Sequence, residues 1–143
     1  MAIARETAMV ALSAAIEGAV VPLGASYERG AAWPERVPPG GRVILRDGEP
    51  GEPIVTMSPA RWSWDYRAEV EIWAEGGDRF TRAALLLEAI ADALAADPTL
   101  GGTVSHAEAG AYDPTDQAPT GAAATRAVSL PVVLTYTSTS SLG

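Results

Sequence analysis

The chain has 143 residues, with 10 basic and 18 acidic side chains and a formal net charge of -8. This length predicts one domain with its own core, and the hydrophobic fraction of 48% argues against whole-chain disorder. Cysteine and lysine are absent, which excludes disulfides, thiolate metal sites and lysine nucleophiles, and the acidic balance argues against a surface that coats nucleic acid.

The first predicted element is a helix over residues 3–20, ended by Pro22 and Gly24. Arg5 and Glu6 lie inside this pattern, which argues against a signal peptide. No apolar run approaches the roughly 20 residues of a membrane span, so no membrane partner is expected. The helix carries an apolar stripe of period 3.6, formed by Met9, Leu12, Ile16 and Val20.

Three strands are predicted next, over residues 42–46, 54–57 and 61–74, with a turn at 47–53 between the first two. Polar and apolar side chains alternate along the third strand, which is typical of an antiparallel strand buried on one face. Trp73 falls on the charged face, and the alternation does not explain it. The apolar face is predicted to hold Trp62, Trp64, Tyr66, Ala68, Val70 and Ile72.

A second helix is predicted over residues 79–96, with Asp78 as its N-cap. Asp97 and Pro98 end it, because a residue before proline avoids the helical region. Its predicted apolar seam is Phe80, Ala84, Leu87, Ala91 and Leu94, widened by Ala83, Leu86 and Ile90.

The last third of the chain predicts a weak strand at 103–108, a polar loop at 109–122 and a final strand at 125–137. Pro131 lies within that strand. Since proline cannot donate to a sheet ladder, we expect the strand at an edge or with a bulge.

The order of these elements predicts an α+β fold, because strands and helices do not alternate regularly. We expect a single domain over residues 1–143, with a mostly antiparallel sheet of four to five strands and two helices packed on one face. Long loops are expected at 22–41 and 109–122.

Few residues carry catalytic or metal-binding chemistry. His106 is the single histidine, and no GxSxG pattern accompanies it, so a residue without chemistry is the favoured interpretation. Asp113 and Asp116 share a loop and would offer oxygen ligands to Ca²⁺ or Mg²⁺, but a solvated turn is favoured. Glu69 and Glu71 share a strand face and suit solvation or a subunit contact. No enzyme, metal site or cofactor is therefore expected.

The aromatic face at Trp62, Trp64 and Tyr66 allows two interpretations. It is either a stacking platform for bases or sugars, or a core face covered by the two helices. The core is favoured, because only Arg61 and Arg67 supply positive charge nearby.

Several segments together resemble the tail terminator family of tailed bacteriophages. They are the opening helix ARETAMVALSAAI, the segment VILRDGEPGEP after a Pro/Gly loop, the strand DYRAEVEIWAE, the helix LLLEAIADALAADPTLGG and the closing strand SLPVVLTYTS. The resemblance spans most of the chain.

That resemblance implies an antiparallel sheet with helices packed against it, a homo-hexameric ring and no catalysis. It implies a structural virion protein at the tail–neck junction, made in the host cytoplasm, that caps the tail tube, stops its polymerisation and joins it to the head–neck complex. Its partners would be copies of itself, the tail tube protein and a neck or stopper protein, with DNA only as passing cargo.

A ring needs two different patches of one subunit to meet across a closing rotation. The loops 24–41, 47–53 and 109–121 are long enough to reach neighbours, and an acidic lumen would repel DNA and let it pass. The candidate residues for subunit and partner contacts are Arg29, Trp33, Arg36, Arg42, Arg46, Glu69, Glu71, Asp113, Asp116 and the strand edge at Pro131.

Three other functions remain open. The first is another neck component, a stopper or adaptor between portal and tail tube. The second is a small hydrolase or metal-dependent enzyme that uses His106 and the loop aspartates. The third is a small-molecule binding module, which needs a cavity beside Trp62 and Trp64.

Overall fold

The computed structural model describes residues 3–30, 37–117 and 124–143. In these residues there are two helices, α1 (Ala4–Val20) and α2 (Arg79–Ala96), and a short 3₁₀ turn, Val21–Leu23, that follows α1. The seven strands are β1 (Ser26–Arg29), β2 (Arg42–Glu49), β3 (Ile54–Thr56), β4 (Arg61–Glu75), β5 (His106–Ala109), β6 (Asp113–Gln117) and β7 (Thr125–Ser138).

All seven strands form one sheet in the order β1-β2-β4-β7-β5, with β3 also on β4 and β6 also on β7. The pairs are antiparallel except β1 with β2, which is parallel. The predicted α+β class is confirmed. The strand count exceeds four to five because short strands share a long neighbour: β2 and β3 lie end to end along β4, and β5 and β6 lie end to end along β7.

The predicted loops contain some of these short strands. β1 lies within 22–41 and includes Tyr27, and β2 runs on to Glu49 into the predicted turn. The loop predicted at 109–122 was wrong over Asp113–Gln117, which form β6. This strand begins Asp-Pro and has no apolar alternation, so its pairing with β7 forms it rather than its own sequence.

Both helices pack on one face of the sheet, as predicted. The buried side chains of α1 are the predicted stripe together with Ala8. In α2 every buried residue belongs to the predicted seam or to the residues that widen it, but Phe80, Ala84 and Ala91 of the seam are exposed. Phe80 is 49% exposed, and its ring lies against the guanidinium groups of Arg79 and Arg126. The buried row of α2 is Ala83, Leu86, Ile90 and Leu94.

The first helix is more apolar than the sequence analysis allowed. The segment Ala4–Leu23 has 20 residues and a mean hydropathy of 1.4, which is enough by length and composition to cross a membrane, so the prediction that no run approaches that length was wrong. In this structure the predicted stripe of the helix packs on the sheet. A helix that packs on the core of a folded domain can have the same length and mean hydropathy.

Trp73 has a partner that the alternation of β4 could not reveal. It lies on the sheet face opposite the helices, yet its side chain is only 9% exposed. It packs with the fully buried Ile44 of β2, with Val37 and with Ala127 of β7. The segment before β2 therefore covers one end of that face and forms a second, small core.

Pro131 does not place β7 at an edge, so that prediction was wrong. β7 is an interior strand, paired with β4 along its whole length. In an antiparallel strand the N–H and C=O of one residue face the same neighbour. The Pro131 carbonyl accepts from the Gly110 amide at 2.8 Å, so its missing N–H faces the gap between β5 and β6. The ladder with β4 loses no hydrogen bond.

Candidate functional site

The sheet face opposite the helices, which we call the open face, carries the polar rows of β4 and β7. Arg46 Nε donates to Glu71 Oε1 at 2.8 Å, and the Trp73 indole N–H donates to Glu71 Oε2 at 3.4 Å. The Thr135 hydroxyl donates to Asp65 at 2.8 Å. These bonds hold acidic side chains in fixed positions on a strand scaffold.

A cleft of about 350 Å³ crosses the middle of the open face. It runs from the end of β2 across β4 and β7 to the start of β6. A glycine is required at one wall, because a Cβ at Gly48 would clash with the Arg67 carbonyl oxygen where the β2–β4 register shifts. The residues that line the cleft are Gly48, Glu49, Arg67, Ala68, Glu69, Ala111, Asp113, Ser129 and Pro131.

The structure brings together three of the acidic residues predicted from the sequence. Ser129 of β7 is the register partner of both Glu71 and Asp113, and its hydroxyl donates to Glu69 Oε1. Glu69, Glu71 and Asp113 therefore surround one serine on the open face. Asp116 lies three residues further along β6, where its backbone register partner is Arg126.

Three of the predicted interface arginines are paired with carboxylates of the same chain. Arg29 makes a two-pronged contact to Glu6 at 2.7 and 3.0 Å, and Arg42 pairs with Glu28 at 2.7 Å. Arg46 pairs with Glu71 as described above. Arg42 and Arg46 lie on strand β2, in agreement with the strand predicted over residues 42–46. Their role toward partners stays a prediction, and Trp33 and Arg36 lie outside the described residues.

The pairing of Arg29 has an electrostatic consequence. The hydrogen bond from Arg29 lowers the pKa of the Glu6 carboxyl from its ordinary value, and the same contact raises the pKa of Arg29. A carboxylate oxygen of Asp47 lies 3.6 Å from a guanidinium nitrogen of Arg29 and adds a second negative charge beside it. Arg29 therefore ties α1 to the edge strand β1 instead of projecting freely.

The residues considered for catalysis are not brought together. His106 pairs with Thr135 and Asp113 with Ser129, six residues apart on β7, which is about 20 Å at the usual strand rise. His106 Nε2 lies 3.7 Å from Glu108 Oε2. Among the described residues no group of three or more histidine, aspartate or glutamate side chains could hold a metal ion.

The aromatic face is part of the core, as the favoured interpretation predicted. Trp64 and Tyr66 are buried and Trp62 packs against them from the edge of the core. The Arg5 guanidinium of α1 lies 5.0 Å from the Trp64 ring centre and 4.7 Å from that of Tyr66, within cation–π range. A helix therefore covers the rings that a base or sugar would need to reach.

Two tyrosines, the buried Tyr136 and the partly buried Tyr27, predict a loss of stability at alkaline pH. Burial raises the pKa of Tyr136, whose hydroxyl accepts from Arg5 Nε at 2.9 Å, and burial likewise raises the pKa of Tyr27. A raised folded-state pKa contributes stability that is present below the unfolded value of about 10 and is lost as pH rises above it. We expect the free energy of unfolding to fall above pH ~10.

Urea unfolding followed by circular dichroism from pH 8 to 11 measures this fall. Tyr136→Phe should make the fall shallower, since one of the two tyrosines no longer ionises. Tyr112→Phe, at an exposed position, is the matched control and should leave the slope unchanged. Equal slopes for wild type and Tyr136→Phe would contradict the assignment.

The structure has an exposed apolar hairpin that was not predicted from the sequence. The side chains of Ile54, Val55 and Met57 are 71%, 49% and 75% exposed. β3 pairs only with Arg61–Ser63 at the start of β4. The available signal was a short apolar strand, IVTM, bounded by Pro53 and Pro59. Alternation cannot tell whether so short a strand is covered.

Comparison with known proteins assigns no family to this arrangement. No protein-family model matches the chain, and no curated protein matches it.

Proposed function

We propose that this chain is a ring-forming tail terminator subunit of a tailed bacteriophage. In this role it caps the tail tube, stops its polymerisation and joins it to the head–neck complex in the virion. The proposal starts from the resemblance of the segments quoted above. It requires surfaces for self-assembly and for passing DNA, and no catalytic step.

The observation that carries the proposal is the pair of uncovered sheet edges. Within the described residues, β1 and β3 have no partner on their outer side at one edge, and neither do β5 and β6 at the other. Two different edges on opposite sides of one subunit suit a head-to-tail contact, which closes into a ring when the rotation allows. An isologous dimer would need only one such patch.

The charge of the open face supports the part of the proposal that concerns DNA. Acidic side chains outnumber basic ones there, and a lumen lined by such a face would repel phosphates. We propose that the open face lines the ring lumen. Its acidic residues are Glu28, Glu49, Asp65, Glu69, Glu71, Glu75, Glu108 and Asp113, against Arg42, Arg46, Arg61 and Arg67.

A second candidate is another neck component, a stopper or adaptor between portal and tail tube. The same free edges favour it, because it too would assemble around a DNA passage. The two functions differ in their partner. A terminator binds the end of the tail tube, whereas a stopper or adaptor binds a ring on the portal side.

Light scattering across a concentration series tests ring formation. The proposal predicts a particle of six subunits of 14.8 kDa, about 89 kDa in all. A dimer that does not grow further would contradict a ring of either kind. A monomer at every concentration would contradict assembly in free solution, and the tail tube would then have to supply the template.

A further inference from the structure

The hairpin formed by residues 54–63, here called the β3 hairpin, presents different side chains on its two faces. Val55 is the register partner of Trp62 and lies on the helix side of the sheet. Ile54 pairs with Ser63 and Thr56 with Arg61, so these residues lie on the open face. The outer edge of β3 is unpaired in the described residues.

A groove of about 280 Å³ runs along the other edge of the sheet, between the end of α2 and β5. We call it the β5 groove. Its walls are mainly small apolar side chains, which leave room for larger ones. Its lining is Ala91, Leu94, Ala95, Pro98, His106, Ala107, Glu108 and Ala109. Ala107 pairs with the buried Leu134 and lies on the helix side, whereas His106 and Glu108 lie on the open face.

Strand directions make these two edges compatible between copies of the chain. β3 is antiparallel to β4, β4 to β7, and β7 to β5, so β3 and β5 run in opposite directions. Val55 lies level with Ser138 of β7, whereas Ala107 lies level with Leu134, four residues or about 13 Å along the strand. A second copy placed beside the first by rotation about an axis inclined to the strands makes up this offset and keeps the strand directions approximately. The β3 strand of the second copy then runs antiparallel to β5 of the first copy, so the two strands can form an antiparallel ladder.

The side chains that would meet are complementary. On the helix side, Val55 would enter the alanine-lined groove. On the open face, Arg61 would approach Glu108, whose carboxylate is largely exposed. Within its own chain, Arg61 donates to the neighbouring Ala60 carbonyl at 2.9 Å. The apolar contact on the helix side and the opposite charges on the open face together favour a second copy of this chain over an unrelated partner.

We propose that the β3 hairpin of one copy docks in the β5 groove of the next, with β3 extending the sheet beyond β5. This proposal rests on the proposed function and names the contact that closes the ring. It is a head-to-tail contact, since hairpin and groove lie on opposite edges of one subunit. Strand addition to an exposed edge supplies main-chain hydrogen bonds, and the groove supplies register.

Cysteine cross-linking tests the contact directly, because the chain has no cysteine of its own. Thr56→Cys and His106→Cys, mixed as two single variants with a short bismaleimide, should give a covalent dimer that neither variant gives alone. The double variant should give a ladder that stops at the copy number of the ring. Thr7→Cys, on the exposed side of α1, mixed with His106→Cys is the control and should give no dimer.

Charge reversal adds a test that does not depend on cysteine placement. Arg61→Glu and Glu108→Arg should each raise the concentration for half-assembly at least tenfold, and combining them in one chain should recover most of the loss. Val55→Asp should have the same effect as the single reversals. Val10→Asp, at a similarly exposed valine on α1, should not. Failure of the combined variant to recover would overturn the Arg61–Glu108 contact.

The outcomes separate this contact from the proposed function. If particles of ring size form but give no cross-link between the Thr56→Cys and His106→Cys variants, and still form with Val55→Asp, the proposed contact is wrong. The proposal of a ring would then still stand. No assembly of the unmodified chain, either alone or on tail tubes, would overturn the ring and the contact with it.

Discussion

Replacing Trp73 by alanine should lower the free energy of unfolding by about 3 kcal/mol. The indole is 9% exposed and closes the small core on the open face with Ile44, Val37 and Ala127. Removing it leaves a cavity and also deletes the hydrogen bond to Glu71. A value at the low end of the range for buried aromatic residues is expected, because the covering segment can partly collapse into the space.

Urea unfolding followed by circular dichroism measures this loss without depending on the removed fluorophore. Tyr112→Ala, at an exposed aromatic residue, is the control and should change stability by no more than about 0.5 kcal/mol. A loss below ~1 kcal/mol for Trp73→Ala would mean that the segment before β2 does not cover the ring. The small core described on the open face would then not exist.

Reversing the charge of the open-face cleft should create a DNA-binding surface. We expect the double variant Glu69→Arg with Asp113→Arg to bind duplex DNA at least tenfold more tightly than the wild type at low salt. Both carboxylates line the cleft beside Ser129, so two arginines there would face the same phosphates. The gain should shrink as salt rises, because counterion release drives such binding.

Fluorescence anisotropy of a labelled duplex at low and moderate salt measures the gain. Glu17→Arg with Glu88→Arg changes the net charge by the same amount at exposed positions on the two helices. This control should gain much less affinity if the open face is the surface that DNA passes. Equal gains in the two double variants would show that net charge alone matters, and would contradict the assignment of the lumen.

The long elements of this fold could be predicted from the sequence because each has a strong period of its own. The predicted bounds of the second helix, 79–96, match α2, and the alternation of β4 assigned its buried face correctly from Trp64 to Ile72. Such segments bury one continuous row of side chains, so local pattern and tertiary environment agree.

The features that could not be predicted depend on neighbours distant in sequence. β6 is a strand because β7 pairs with it, and Trp73 is buried because Val37 and Ile44 come to cover it. Pro131 is tolerated in an interior strand because its missing donor faces a gap in the ladder. In each case the contact that decides the structure joins segments distant in sequence, and a local sequence pattern does not show that such segments lie close together.

The candidate site was predictable in composition but not in arrangement. Glu69, Glu71 and Asp113 were predicted as acidic contacts, yet their convergence on Ser129 required the register of β4, β6 and β7. In the β3 hairpin, residues 54–57 were predicted as a short strand, with no indication that its apolar side chains would be exposed. Exposure depends on what covers a residue, and that is a property of the folded chain.

Electron microscopy of tail tube ends is the most direct test of the ring-forming terminator. Tubes grown from the tube protein of the same virion would be imaged with and without this chain. The account predicts six-fold rings closing the tube ends and tubes that stop growing. Open ends and unchanged growth at saturating protein would contradict a terminator, and binding to a portal-side ring instead would identify a stopper or adaptor.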